Sequence, residues 1–283
     1  MTPLAGLKVV TTALNLPGPA ACARLHELGA AVTKIEPPSG DPFEAFCAPW
    51  YRRLHEGIAV SRLDLKAESG RASLRELLGE ADLLVTAQRP SALARLGLDP
   101  ESLASRHPRL CHVAITGHPS PHEETPGHDL TYLAMHGLLT PPAMPVTLFA
   151  DMAGAERAVA TALALVIGRQ RTGRGAAMHA PLEDAARMLA QPLHEGLTRR
   201  DALLGGGYAG YNLYGTLDGW IAVAALEPHF AERLAQALGL EVLTVEALRA
   251  CFASQSAAHW QRWALERDLP IVALRGPSNE IPS

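Results

Sequence analysis

The chain has 283 residues, 48% of them hydrophobic, and a formal net charge of −4 without any long run of Lys and Arg. That is enough chain for a large buried core, and the charge pattern excludes a broad electrostatic surface for nucleic acid. Cys22, Cys47, Cys111 and Cys251 are far apart and form no CxxC pair, so neither a zinc cluster nor a disulfide framework is signalled and a cytoplasmic protein is expected.

Leu7 to Thr11 (LKVVT) is a short run rich in β-branched residues that leads through Pro17-Gly18-Pro19 into a helical pattern from Ala20 to Leu28. Gly29 ends that helix, and Ala31 to Glu36 (AVTKIE) reads as a second strand closed by Pro37-Pro38, which completes a β-α-β unit. The first loop, Asn15 to Pro19, has one Gly and no GxGxxG, which argues against a nicotinamide-cofactor fingerprint and leaves open a phosphate near the following helix N-terminus. After a less regular stretch come a strand from Val60 to Leu65, a helix from Ser69 to Leu78 and a strand from Asp82 to Thr86. Asp99-Pro100 places an N-cap before a first-turn Pro, so a short helix is expected to Arg106, followed by a strand from Leu110 to Thr116. Strands alternating with helices predict an open, mostly parallel sheet with its ligands at the carboxyl ends of the strands.

Gly117 to Gly127 is polar and broken by prolines. Pro119 and Pro121 keep His118 and His122 off a common helix face, and no spacing matches a zinc pattern, so a solvated loop without metal is expected. His128 and Asp151 then bracket one candidate helix. Asp151 to Gln170 is a strong helical pattern with an Ala-rich face; its longest apolar run, Ala158 to Ile167, is about half of the ~20 residues that a bilayer crossing needs. With an N-terminus that lacks the basic and apolar regions of a secretion signal, this predicts a soluble protein with no membrane partner. Ala176 to Ala180 reads as a further strand and Leu182 to Leu193 as a helix. Gly205-Gly206-Gly207 reads as a linker into a hairpin, Asn212 to Thr216 and Trp220 to Ala225, with Asp218-Gly219 as its turn signal. Helices over Pro228 to Leu238 and Ala257 to Arg267, and an apolar run from Pro270 to Leu274, complete a small α+β unit. The expected division is residues 1–195 and 196–283.

An ordered set of segments resembles the family III CoA-transferases, which include formyl-CoA and carnitine CoA-transferases and the 2-methylacyl-CoA racemases. They are PLAGLKVV, LGAAVTKIEPP, RLDLKAESG, ADLLVTAQRPSALARLGLD, GHDLTYLAMHGLL, FADMAG, RQRTGRG and LPIVAL. The resemblance implies a Rossmann-like parallel sheet domain that binds CoA and a smaller α+β domain that closes the active-site cleft. Two details lean toward the racemase branch: Gly127-His128-Asp129, where most transferases carry an aromatic residue in place of the His, and an Ala-rich strand followed by Glu227-Pro228.

Racemising a 2-methylacyl thioester requires one group to remove the α-proton, another to return a proton on the opposite face, and donors to hold the enolate oxygen. The resemblance implies that His128 and Asp151 are that pair and that Glu227 hydrogen-bonds His128. An imidazole titrates near neutrality, while a carboxylate needs its surroundings to move it there. At the start of a helix, the free amides around Asp151 are candidates to bind an oxyanion. In the transferase branch the matching Asp attacks the thioester and carries the acyl group. Asn15, Leu63, Lys66 and Arg89 are implied as contacts to coenzyme A, and Tyr132 as a wall of the acyl pocket. Family members form interlocked homodimers, so a homodimer is expected. Against the family pattern, Met152-Ala153-Gly154-Ala155-Glu156 replaces a Gly-rich segment, the stretch between His128 and Asp151 is short, and the sequence ends at Ser283 where relatives continue. Three readings stay open: racemase, CoA-transferase, and non-catalytic CoA-binding paralogue.

Overall fold

The computed structural model describes residues 2–275. The chain divides between Ala190 and Gln191 into two compact units.

The first unit is a six-stranded sheet in the order β3-β2-β1-β4-β5-β6, with every neighbouring pair parallel. Its strands are β1 (Lys8–Thr11), β2 (Ala31–Glu36), β3 (Ala59–Arg62), β4 (Leu83–Thr86), β5 (Cys111–Thr116) and β6 (Ala177–Pro181). Every residue of β4 and β5 is buried, which is why both read as largely apolar runs, interrupted in β5 by His112: a parallel strand is covered on both faces. Side chains alternate across the sheet. Val9, Leu83, Val85, Val113 and Ile115 go to one core, and Val10, Leu84 and Ile35 to the other.

The first core is closed by α1 (Pro17–Glu27) and by the long helix Phe149–Thr172. Gly154, Ala155, Ala158 and Ala162 are buried on that helix, and a Cβ on Gly154 would run into Leu182. Close approach is therefore kept at one position, Gly154, although the surrounding segment is not Gly-rich. The second core is closed by α4 (Glu68–Glu80), α5 (Pro90–Leu96) and α6 (Pro100–Arg106) through Leu74, Leu78, Leu93 and Leu103. Burying each such Leu contributes roughly 1.5–3 kcal/mol. The less regular stretch after β2 contains two short helices, α2 (Pro42–Phe46) and α3 (Ala48–Leu54). Asp41 caps the first, accepting the Phe43 amide, with Pro42 behind it. After α7 (Asp129–Met135), α8 is the long helix Phe149–Thr172. The helix expected over Leu182 to Leu193 is split into α9 (Leu182–Leu189) and α10 (Gln191–His194), because Pro192 has no amide with which to continue the ladder. Among the described residues no helix is long and apolar enough to cross a membrane.

The second unit is a three-stranded antiparallel sheet, β7 (Tyr211–Gly215), β8 (Trp220–Ala224) and β9 (Ile271–Ala273), in that order. Its helices are α11 (Pro228–Leu238), α12 (Val245–Phe252) and α13 (Ala257–Leu265). Tyr214, Ile221, Leu234, Leu248, Phe252 and Trp260 form the core. The Gly205-Gly207 run is not a linker. It belongs to a compact turn, Leu203–Gly207, in which Gly206 takes φ +98° and a Cβ on Gly205 would strike the Arg199 carbonyl.

Candidate active site

In this sheet the strand order reverses between β1 and β4, so the connections leaving their carboxyl ends run in opposite directions and open a crevice. Gln88 ties the two strand ends together: its Oε1 accepts the Thr12 hydroxyl at 2.9 Å and its Nε2 donates to the Thr12 carbonyl at 2.6 Å. Asn15 borders the crevice from the β1–α1 loop with φ +65°, a left-handed conformation that Asn tolerates better than most residues. Its amide donates to Asp41 Oδ1 at 2.9 Å. Asp41 is held in turn by Lys34 Nζ at 2.5 Å, which also reaches Glu36 Oε1 at 3.1 Å and His55 Nε2 at 2.9 Å. Both side chains of the Lys34–Asp41 pair are buried. Arg89 is exposed at the start of α5. Beside it, Glu124 of the following loop accepts from the Ser91 amide at 2.7 Å and so closes that helix end.

The segment after β5 brings in the remaining groups. His128 is the exposed N-cap of α7; its amide donates to Thr131 Oγ1 at 3.0 Å, and the Thr131 hydroxyl donates to the His128 carbonyl at 2.7 Å. Tyr132 is fully buried between two glycines: a Cβ on Gly117 would lie 2.5 Å from its hydroxyl, and one on Gly127 2.5 Å from its ring. Burial, then the negative charges of Asp151, Glu183 and Asp129, push its hydroxyl up to about 12, so it remains a donor. His118 corrects the expectation of a solvated loop. It is buried, meets Tyr132 edge to face with ring centroids 5.2 Å apart, and its Nδ1 lies 2.7 Å from Glu183 Oε2. The prolines around His118 keep it out of a helix but do not keep it in water.

Asp151 sits in the first turn of α8. A helix N-terminus favours a carboxylate, yet burial, and after it the charge of Asp129, raise Asp151 from 3.8 to about 7. Desolvation therefore outweighs the dipole. Its amide is not free to hold an oxyanion, because it donates to Asp129 Oδ1 at 3.0 Å.

These groups border one cleft of about 360 Å³, lined among others by Asn15, Gln88, Arg89, His128, Tyr132 and Asp151. Five residues singled out from the sequence are thus brought together. Leu63 and Lys66 do not border it. Leu63 donates its amide to the Glu36 carbonyl and faces a separate groove beside α4, and Lys66 is exposed in the β3–α4 connection. Glu227 belongs to the second unit, where it is the exposed N-cap of α11 with no side-chain cap hydrogen bond. Gln88 and Asp129 were missed from sequence. Their available signals were the Gln-Arg-Pro run after a strand and the second acid of Gly-His-Asp.

Chemically, the cleft offers an imidazole, a carboxyl poised near neutrality, a protonated phenol and an exposed guanidinium. A model of CoA-transferase family III matches residues 4–279. The human alpha-methylacyl-CoA racemase is 32% identical over 256 residues, covering 84% of this chain; the chain spans 65% of the racemase's length. The succinyl-CoA:(R)-benzylsuccinate CoA-transferase subunit BbsE of Thauera aromatica is 33% identical over 237 residues, 74% of this chain and 57% of its own. The crystal structure of a CAIB/BAIF family protein from Brucella suis superposes with a TM-score of 0.79 at 25% identity, covering 97% of this chain and 84% of that one. With a sheet, a crevice and a near-complete family match in agreement, the chain belongs to CoA-transferase family III.

Proposed function

We propose that this chain acts on a CoA thioester and moves the α-proton of a 2-methylacyl group between Asp151 and His128. The observation that carries this reading is that both groups border one cleft while the Asp151 carboxyl is raised to about 7. A carboxyl with that proton affinity is populated in both forms at neutral pH, as a group that must both take and return a proton requires. A nucleophile that attacks a thioester works instead as the anion, which these surroundings disfavour.

In the forward step, one group accepts the α-proton and the C–H electron pair moves into the enolate. The other then donates a proton to the opposite face, and the enolate electrons re-form the C–H bond. No group is oxidised or reduced. The Tyr132 hydroxyl, with no hydrogen-bond partner among the described residues, is a donor for the enolate oxygen. Arg89 and Asn15 are suited to the phosphates and pantetheine of CoA. The family resemblance adds Leu63 and Lys66 to that role, and assigns Glu227 to setting the protonation of His128. It also supports a homodimer, which light scattering coupled to size exclusion tests; a monomer at micromolar concentration refutes it.

The deciding experiment is incubation with 2-methylacyl-CoA in heavy water. Deuterium at the α-carbon without an acceptor acid supports proton transfer, with loss of exchange in Asp151→Asn, His128→Ala and Glu227→Gln. Hydroxylamine trapping of an acyl group on Asp151 in the presence of an acceptor acid supports CoA transfer instead. If wild type and Asp151→Ala show the same negligible turnover while CoA still binds, the chain is a non-catalytic member.

A further inference from the structure

Asp129 is 3% exposed and follows the His128 N-cap directly. Its Oδ1 accepts the Asp151 amide at 3.0 Å. Its Oδ2 is buried with no hydrogen-bond partner among the described residues. An unpaired buried carboxylate oxygen is costly and calls for an explanation. Clamping the start of α8 to the start of α7 does not supply one. An Asn side chain would present the same carbonyl to the same amide without burying a charge. What distinguishes a carboxylate here is its charge, which acts on the Asp151 carboxyl.

The other charged or titratable groups around the pair are His128 and Tyr132 on α7, Glu183 on α9, Glu123 in the loop before α7 and Arg89 at the start of α5. Among charged groups, Asp129 is the one that acts on the Asp151 carboxyl. We propose that Asp129 is the positioning residue for Asp151. One oxygen anchors the Asp151 backbone and so fixes where its carboxyl enters the cleft, and its charge adds to burial in disfavouring the Asp151 anion. This inference rests on the reading of Asp151 as a proton carrier.

Two measurements separate the failure of the inference from the failure of that reading. The first is the pH profile of α-deuterium exchange in wild type, Asp129→Asn and Asp129→Ala. Asp129→Asn keeps the anchor and removes the charge, so the limb belonging to Asp151 is expected to move toward acid by about one pH unit. Asp129→Ala also loses the anchor and is expected to slow exchange further at every pH. An unmoved limb in Asp129→Asn overturns the inference.

The second needs no activity. Urea unfolding of wild type, Asp151→Asn, Asp129→Asn and the double variant, across pH, reads the midpoint at which residue 151 ionises in each background. That midpoint is expected to fall when Asp129 is neutralised; equal midpoints overturn the inference. If the midpoint falls but wild type shows no exchange, the coupling of Asp129 to Asp151 stands and the proton-transfer reading fails. Should Asp129→Asn not fold, carboxyl-carbon NMR of the wild type replaces it. An Asp151 resonance titrating in the ordinary range near ~4 then overturns the inference.

Discussion

Asp151→Asn is expected to stabilise the first unit in a pH-dependent way while abolishing exchange. Asp151 holds its proton up to about 7 in the fold, against an ordinary value of 3.8. Between those two values the folded state binds more protons than the unfolded one, so stability falls as pH rises through that window and stays low above it. A difference of about 3 pH units at ~1.36 kcal/mol each gives about 4 kcal/mol as the upper bound of the cost above pH 7. Asn has the shape of the protonated acid and carries no such cost. The variant should therefore match wild type near pH 4 and exceed it by up to about 4 kcal/mol at pH 8. Urea midpoints and slopes for both proteins at several pH values measure the gap. Titrating groups remote from Asp151 contribute equally to the two proteins and cancel. A gap that is constant with pH, or that closes as pH rises, refutes the claim that burial and Asp129 raise the proton affinity of Asp151. At the same time exchange should fall by about 10²–10⁴, the usual worth of a positioned acid or base.

His112 is buried on β5, with Nε2 2.9 Å from the Thr86 hydroxyl, and desolvation lowers it from 6.5 to about 4. The unfolded chain takes up that proton first as pH falls, so stability present above 6.5 is lost toward pH 4, by about 3 kcal/mol at most; His112→Gln should flatten this part of the urea midpoint curve. Gly127→Ala would place a methyl 2.5 Å from the Tyr132 ring, and is expected to cost about 1–3 kcal/mol in thermal unfolding and to weaken exchange together with it. Lys34→Met leaves Asp41 buried without its cation and Glu36 with only the Arg62 cation at 3.8 Å, which should cost about 3–5 kcal/mol in urea unfolding and loosen the Asn15 loop, read as weaker CoA binding.

The fold was legible where its physics is local. Buried parallel strands such as Leu83–Thr86 and Cys111–Thr116 show as apolar runs, and α8 shows by its length and its Ala-rich face. Helices α2, α3, α5 and α12 were not seen. Their five, seven, seven and eight residues are too few to display a helical period against a mixed background, although Asp41-Pro42 carries the same cap signal that located α6. At the site, His128 and Asp151 were legible through a family pattern. Their setting was not. An acid at the first position of a helix reads as a partner of the dipole, and no local feature of Asp129 says that its side chain turns toward the amides of a helix 20 residues on. The burial of His118 likewise depends on Glu183, which the loop sequence does not contain.

Several residues of the cleft and its support are ones at which the fold accepts a local cost. Asp129 leaves a buried oxygen unpaired, and Asp151 carries an acid where ionisation is disfavoured. Asn15 takes a left-handed conformation, and Tyr132 requires two glycines to make room for its ring. These four conflicts border one crevice, as expected where function and not packing selects the residue. The amide of Asp151 makes the point most directly. At the start of a helix it would serve an oxyanion, but Asp129 already holds it, and the oxygen of any enolate formed in this cleft must find its donor elsewhere. Tyr132, whose hydroxyl is pushed up to about 12 by burial and after it by the charges of Asp151, Glu183 and Asp129, is the group so placed. Burial, the largest cause at both groups, thus raises the Asp151 carboxyl toward a proton carrier and keeps the phenol a donor.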